Sequence, residues 1–249
     1  MNVFEQHGIE HLSPSTINTF TAAPALFVLE KLLKRRQPVG CAAYRGNAVE
    51  DGIAHGLLDP SATLGDCINK AVQTFDRLAA LSSDPRKEKE RAGLSGMVEQ
   101  GLAELLPYGI PSSTQGKVSL AVEGLAVPII GFYDFEFAAH GILIDLKTTH
   151  ALPSEIKRNH AKQVSLYTAC RDNHEGRICY ATGKKVATYR VDNPKEHLAA
   201  LTRGALALQR FLSVSADPQE LAGICMPDLD SFYWSDPGAR QAAFEVWGV

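Results

Sequence analysis

The chain has 249 residues, 45% of them hydrophobic, and a formal net charge of -3: ample apolar material for one large core and no generally basic coat for nucleic acid, although a local basic groove fits. Its apolar runs are too short to span a bilayer, and the N-terminus MNVFEQHGIEHL lacks the basic and apolar regions of a signal peptide. Five scattered cysteines (Cys41, Cys67, Cys170, Cys179, Cys225) form no Cys-x-x-Cys pair; they support neither a disulfide framework nor a cysteine-based zinc or iron–sulfur site, and fit a reducing, cytoplasmic setting with no membrane partner.

Ser13 is placed as the N-cap and Pro14 as the first residue of an opening helix. A second helix is expected over Ala25–Arg36, with Leu26, Leu29, Leu32 and Leu33 at helical spacing. The middle of Val39–Leu58 reads as helix and carries Arg45, Gly46, Glu50 and His55. Two further helices are expected over 61–81 and 85–106. The second contains the run Arg86-Lys87-Glu88-Lys89-Glu90-Arg91, a solvated face or a mobile connection. From Lys117 the pattern changes to a strand meander: Val118–Glu123, Leu125–Ile130, Phe132–Ala139 and Ile142–Lys147. Pro153 then starts a helix to about Asp172. Arg177–Ala181 and Lys185–Val191 form two strands about the turn Thr182-Gly183-Lys184, and 195–213 is a last amphipathic helix. A helix between strands of one sheet makes a crossover. The reading is therefore an α/β fold, a mixed central sheet flanked by helices, with a mainly helical N-terminal region over 1–110.

The segment Gly131–Lys147, GFYDFEFAAHGILIDLK, gathers charges that need an explanation. Asp145 and Lys147 are two apart on a strand and share a face, while Leu146 points back into the core. A turn at His140-Gly141 brings Asp134 toward Asp145. Two carboxylates and an ammonium at the ends of hydrophobic strands require partners or a metal. Phosphodiester hydrolysis needs an in-line water, neutralisation of the phosphate and help for the leaving oxygen. Hard divalent ions held by carboxylates, with a lysine to orient the water, supply these. Alone, Asp-x-Lys also decorates many solvated strand faces.

The surrounding motifs narrow the choice. GFYDF followed by ILIDLKTT resembles the G-x-x-D … (I/V)-D-x-K-T block of the PD-(D/E)XK nuclease superfamily, in particular its RecB-like and phage-exonuclease branches. Gln163-Val164-Ser165-Leu166-Tyr167 resembles the QxxxY motif of the RecB-like branch; Gln163 and Tyr167, four apart on a helix, share a face. Tyr44-Arg45-Gly46-Asn47-Ala48-Val49-Glu50 resembles the RG-x-x-V-(H/E) helix. Ser13-Pro14-Ser15-Thr16-Ile17 with Ala23-Pro24-Ala25-Leu26-Phe27 resembles the S-x-S-x-L … C-P-x-x-F opening. These blocks follow the family's order from residue 12 to about 191. Two positions depart from the pattern: Ala23 stands where some relatives have a first cluster cysteine, and Glu50 where many have histidine.

The resemblance implies a restriction-endonuclease-like fold with 1–249 as a single nuclease domain, its catalytic core at 117–191 and a C-terminal helix and tail at 193–249. It implies a DNA exonuclease that uses one or two Mg2+ or Mn2+ ions and no iron–sulfur cluster. The setting it implies is recombination, replication or repair in a bacterial or phage-infected cell. Glu50, Asp134, Asp145 and the Leu146 backbone carbonyl are the implied metal ligands. Lys147 positions or activates the water, and Gln163 and Tyr167 orient the substrate or the ligands. His55, about 140° round the helix from Glu50, does not easily share that site. Arg45 is expected either to pair with an acid or to meet a phosphate. Lys157, Arg158 and Lys162, with His160, form a basic patch for a DNA backbone or a solvated face. The tail aromatics Phe232, Tyr233, Trp234 and Trp247 are expected in core or subunit packing rather than in base stacking. Besides linear single- or double-stranded DNA, the partners are a homo-oligomer or a recombination partner protein. The alternatives are a structure-directed or single-strand endonuclease, and a non-catalytic DNA-binding scaffold that keeps the fold.

Overall fold

Five extended runs become strands in the computed structural model, which describes all residues, 1–249: β1 (Ser113–Leu120), β2 (Ile129–Phe137), β3 (Ile142–Thr148), β4 (Glu175–Ala181) and β5 (Val186–Arg190). They form one sheet in the order β1-β2-β3-β4-β5. β2 pairs antiparallel with β3, β3 parallel with β4, and β4 antiparallel with β5. The parallel step needs a crossover, which the Arg158–Ala169 helix supplies. The fold is thus the expected α/β arrangement, a mixed sheet flanked by helices. Gly141 closes the β2–β3 connection at φ 61°, a left-handed angle that glycine adopts without a Cβ penalty.

Several boundaries differ from the sequence pattern. β1 begins at Ser113 rather than Val118. The strand expected over Leu125–Ile130 forms only from Ile129, where β2 begins, because Gly124 at φ 77° and a Leu125 N–H donating to Val122 O at 3.1 Å make a turn before it. The crossover helix starts at Arg158, not Pro153: the Pro153 carbonyl accepts from the Tyr189 hydroxyl at 2.9 Å instead of from a helical N–H. The helix expected over Ala25–Arg36 ends in a π turn, Val28–Leu32, just before the left-handed Lys34. The 85–106 segment divides at Gly93 into Lys87–Ala92 and Leu94–Leu105. No helix is long and apolar enough to cross a membrane.

The chain divides into two compact units. One comprises Val39–Lys117 and Phe132–Pro194. Its Cys41–Leu58 helix buries Cys41, Arg45, Ala48, Val49, Gly52, Ile53, Gly56 and Leu57, one stripe at a period of 3.6. That stripe packs with Phe75, Val98, Leu102, Phe135, Ile144 and Cys179 into one core. Glu50 lies beside the stripe, half-buried. Thr63 and Asp66 form a capping box that starts the neighbouring Leu64–Leu78 helix.

The other unit comprises Met1–Pro38, Val118–Gly131 and Lys195–Val249. Ser13 caps the Pro14–Ala22 helix, its hydroxyl accepting from the Thr16 N–H at 3.2 Å, as the sequence predicts. Ala25, Leu26, Leu29, Trp234, Ala239 and Ala243 form a core of their own, with Trp247 edge-on to Trp234 at 6.2 Å. Trp234 and Trp247 are therefore packing residues, whereas Phe232 is 86% exposed.

Candidate active site

The β2–β3 register pairs Phe135 with Ile144, and one step further along come Asp134 and Asp145. Both acids are buried, 9% and 1% exposed. Asp134 Oδ2 accepts the Leu146 backbone N–H at 2.6 Å, which ties the two strands together at the carboxylates. Asp145 Oδ1 accepts the Tyr167 hydroxyl at 3.5 Å. Asp145 Oδ2 takes no directional hydrogen bond and is met by the Lys147 ammonium at 2.6 Å. Strand alternation accounts for this: Asp145 and Lys147 share a face, and Leu146 between them is buried in the core.

Glu50 reaches the acids from the Cys41–Leu58 helix through a residue that the sequence pattern did not reveal. The Gln115 side-chain amide donates to Glu50 Oε1 and, at 3.3 Å, to Asp134 Oδ1. Burial, followed by repulsion from Asp134, Asp51 and Asp145, pushes the Glu50 carboxyl up to about 8. Burial and the Asp145 charge push Asp134 up to about 7. Desolvation draws the Lys147 ammonium down, but the attraction of Asp145, Asp134 and Glu50 outweighs it and raises the group overall. Gln115 falls where the sequence pattern predicted no element, and its one local cue is the adjacent Gly116. His55 lies near Asp59 and Asp66.

The crossover helix supplies the next layer. Gln163 donates to the Tyr167 hydroxyl at 2.5 Å, so the two residues share a face as expected. Tyr167 is fully buried, and burial, with Asp145 and Asp134 beside it, pushes its phenol up. His160 hydrogen-bonds the Tyr180 hydroxyl through Nδ1 at 2.8 Å. Burial, then Lys147 and Lys157, push its imidazole down to about 4. Lys157 and Arg158 are exposed at the start of this helix, and Lys162 is half-buried.

Arg45 is placed elsewhere. Its guanidinium, 5% exposed, pairs with Glu90, 3% exposed, and donates to the Thr148 hydroxyl and carbonyl, each at 3.2 Å. His150 Nε2 lies 3.0 Å from Arg45 and 3.2 Å from Glu90. Of the two roles expected for Arg45, the structure shows the acid pair. It also corrects the reading of the Arg86–Arg91 run: Glu90 points inward as the counter-charge of a buried arginine, not onto a solvated face. Neither partner carries a periodic signal that would link them across the intervening helix.

The donor set suits a hard divalent cation. Carboxylates from a helix and two strands lie within electrostatic reach of one another, and two of them are strained toward the protonated form by burial and mutual repulsion. N–H groups of Gln115, Leu146 and Lys147 offer these oxygens the positive charge that an ion would provide. No three His, Cys, Asp or Glu side chains close around one point, and the Gln115 amide links two of the carboxylates, Glu50 and Asp134.

The family model described as PD-(D/E)XK nuclease superfamily matches residues 11–230. A solved structure described as "Crystal structure of SSO0001" is similar over 66% of this chain and 85% of its own, at 17% identity and a TM-score of 0.37. No curated protein matches the chain.

Proposed function

Because the chain belongs to the PD-(D/E)XK nuclease superfamily, whose members generally use divalent metals, we propose that it is a Mg2+- or Mn2+-dependent DNA exonuclease of the RecB-like or phage-exonuclease branch, acting in recombination, replication or repair. The observation that carries this reading is the convergence of Asp134, Asp145 and Lys147 on neighbouring strands, backed by Tyr167 and Gln163 from the crossover helix. Glu50, Asp134, Asp145 and the Leu146 carbonyl are the groups that would hold the ion, which when bound neutralises phosphate charge and makes water a better nucleophile.

The chain's own groups do the rest. Lys147, held beside Asp145, stays an ammonium; it orients a water by donating to it and offsets negative charge as the phosphorus–oxygen bond breaks. Gln163 and Tyr167 fix the orientation of Asp145. Lys157 and Arg158, exposed beside this layer, supply cations for a phosphate backbone. Arg45 takes no part, because Glu90 and Thr148 already occupy its guanidinium.

End-labelled linear DNA and covalently closed circles, each with Mg2+, Mn2+ or EDTA, test the reading. It predicts ion-dependent release of label from linear DNA and intact circles. Cut circles would replace the exonuclease with an endonuclease, and binding without hydrolysis would leave a scaffold.

A further inference from the structure

Gln115 combines two features that strand packing does not require. Its backbone is left-handed, φ 51°, inside β1, an angle that glycine takes freely and larger residues resist. The neighbouring glycine does not take that angle. Gly116 serves a different need: a Cβ there would lie 2.0 Å from the Tyr133 ring. The strained position is therefore held by a residue with a long amide side chain, and that amide donates to Glu50 and Asp134 at once. Backbone strain of this kind clusters at functional sites, and at Gln115 it coincides with the two acids its amide meets.

We propose that Gln115 is a positioning residue for the ion site: its amide holds Glu50 and Asp134 side by side and so sets the affinity of the site for a divalent cation. This rests on the reading of Glu50 and Asp134 as ligands. The amide suits the task. It has two N–H donors, enough to bridge two carboxylates, and carries no charge that would compete with an ion. Burial and mutual repulsion act against assembling the two acids, and a fixed bridge removes part of that cost before the ion arrives. Hydrogen-bond partners of ligating carboxylates characteristically alter metal affinity by about 10–100-fold.

The test is calorimetric titration of the full-length protein with Mn2+, together with thermal melting in EDTA. Gln115→Gly relieves the backbone and removes the bridge. Gln115→Asn tolerates the left-handed angle but is one methylene short. Both variants should melt cooperatively and bind Mn2+ about 10–100-fold more weakly than the wild type. Folded variants whose Mn2+ affinity matches the wild type, with or without a lower melting temperature, overturn the role of Gln115 and leave the wild-type site intact. A wild-type protein that binds no Mn2+ overturns this inference and the metal dependence together.

Discussion

The Tyr167 hydroxyl lies 3.5 Å from Asp145 Oδ1 and accepts an N–H from Gln163 at 2.5 Å. The Tyr167 ring is fully buried and meets Tyr133 edge-on at 6.3 Å, so packing fixes the phenol before any hydrogen bond does. One oxygen of Asp145 is thereby tied to the crossover helix, while the other faces Lys147 at 2.6 Å. Burial raises the phenol's pKa, with Asp145 and Asp134 adding to it, so the group remains a neutral donor.

Tyr167→Phe keeps the ring and removes the donor. It should cost about 1 kcal/mol of stability and slow cleavage by about 10–100-fold. Gln163→Ala acts on the same chain of bonds, so the double variant should be little worse than Tyr167→Phe alone. Single-turnover rates and thermal melts of the three variants check this, and fully additive losses would contradict the shared role.

Lys147→Ala leaves Asp145, 1% exposed, without its ammonium. The expected loss is about 1–3 kcal/mol of stability in EDTA, with cleavage down by about 100- to 10,000-fold. Denaturant titration and cleavage rates separate the two effects. A variant that cleaves normally would remove Lys147 from the chemistry.

The acids also predict how stability responds to pH. Asp134 and Glu50 rise from 3.8 and 4.5 to about 7 and about 8. Between those values the folded chain holds protons that the unfolded chain has released, so in EDTA stability should fall as pH rises from about 4 to about 8. Asp134→Asn, which cannot ionise, should flatten the slope, and saturating Mg2+ should restore stability at the alkaline end. Melting temperatures across that range measure it, each kcal/mol appearing as roughly 2–4 °C. A slope unchanged in Asp134→Asn would contradict the assignment.

The Arg45–Glu90 pair predicts a purely structural effect. Glu90→Ala strands a buried guanidinium and should cost about 3–5 kcal/mol, while Arg45→Met with Glu90→Leu should recover most of that loss. The double variant should bind DNA as the wild type does. A marked drop in its DNA affinity, measured at fixed salt, would return Arg45 to the phosphate.

The acids and the lysine were legible because strand alternation fixes which side chains share a face, and Asp145, Leu146 and Lys147 obey it. Gln163 and Tyr167 were legible for the parallel reason on a helix. Both signals are local. Gln115, Glu90 and His150 were not legible, because each meets a partner distant in the chain, and the burial of Glu90 follows no period. The element boundaries were lost to single events: Gly124 turning the chain, and Tyr189 capturing the Pro153 carbonyl. The mixed sheet survived those errors because its order depends on where the crossover falls, not on where each strand begins.

The most direct test of the account is the cleavage of end-labelled linear DNA by wild type and Asp145→Asn, each with Mg2+ and with EDTA. The account predicts degradation by the wild type in Mg2+ alone, and none by a folded Asp145→Asn under either condition. Degradation by Asp145→Asn, or by the wild type in EDTA, would contradict it.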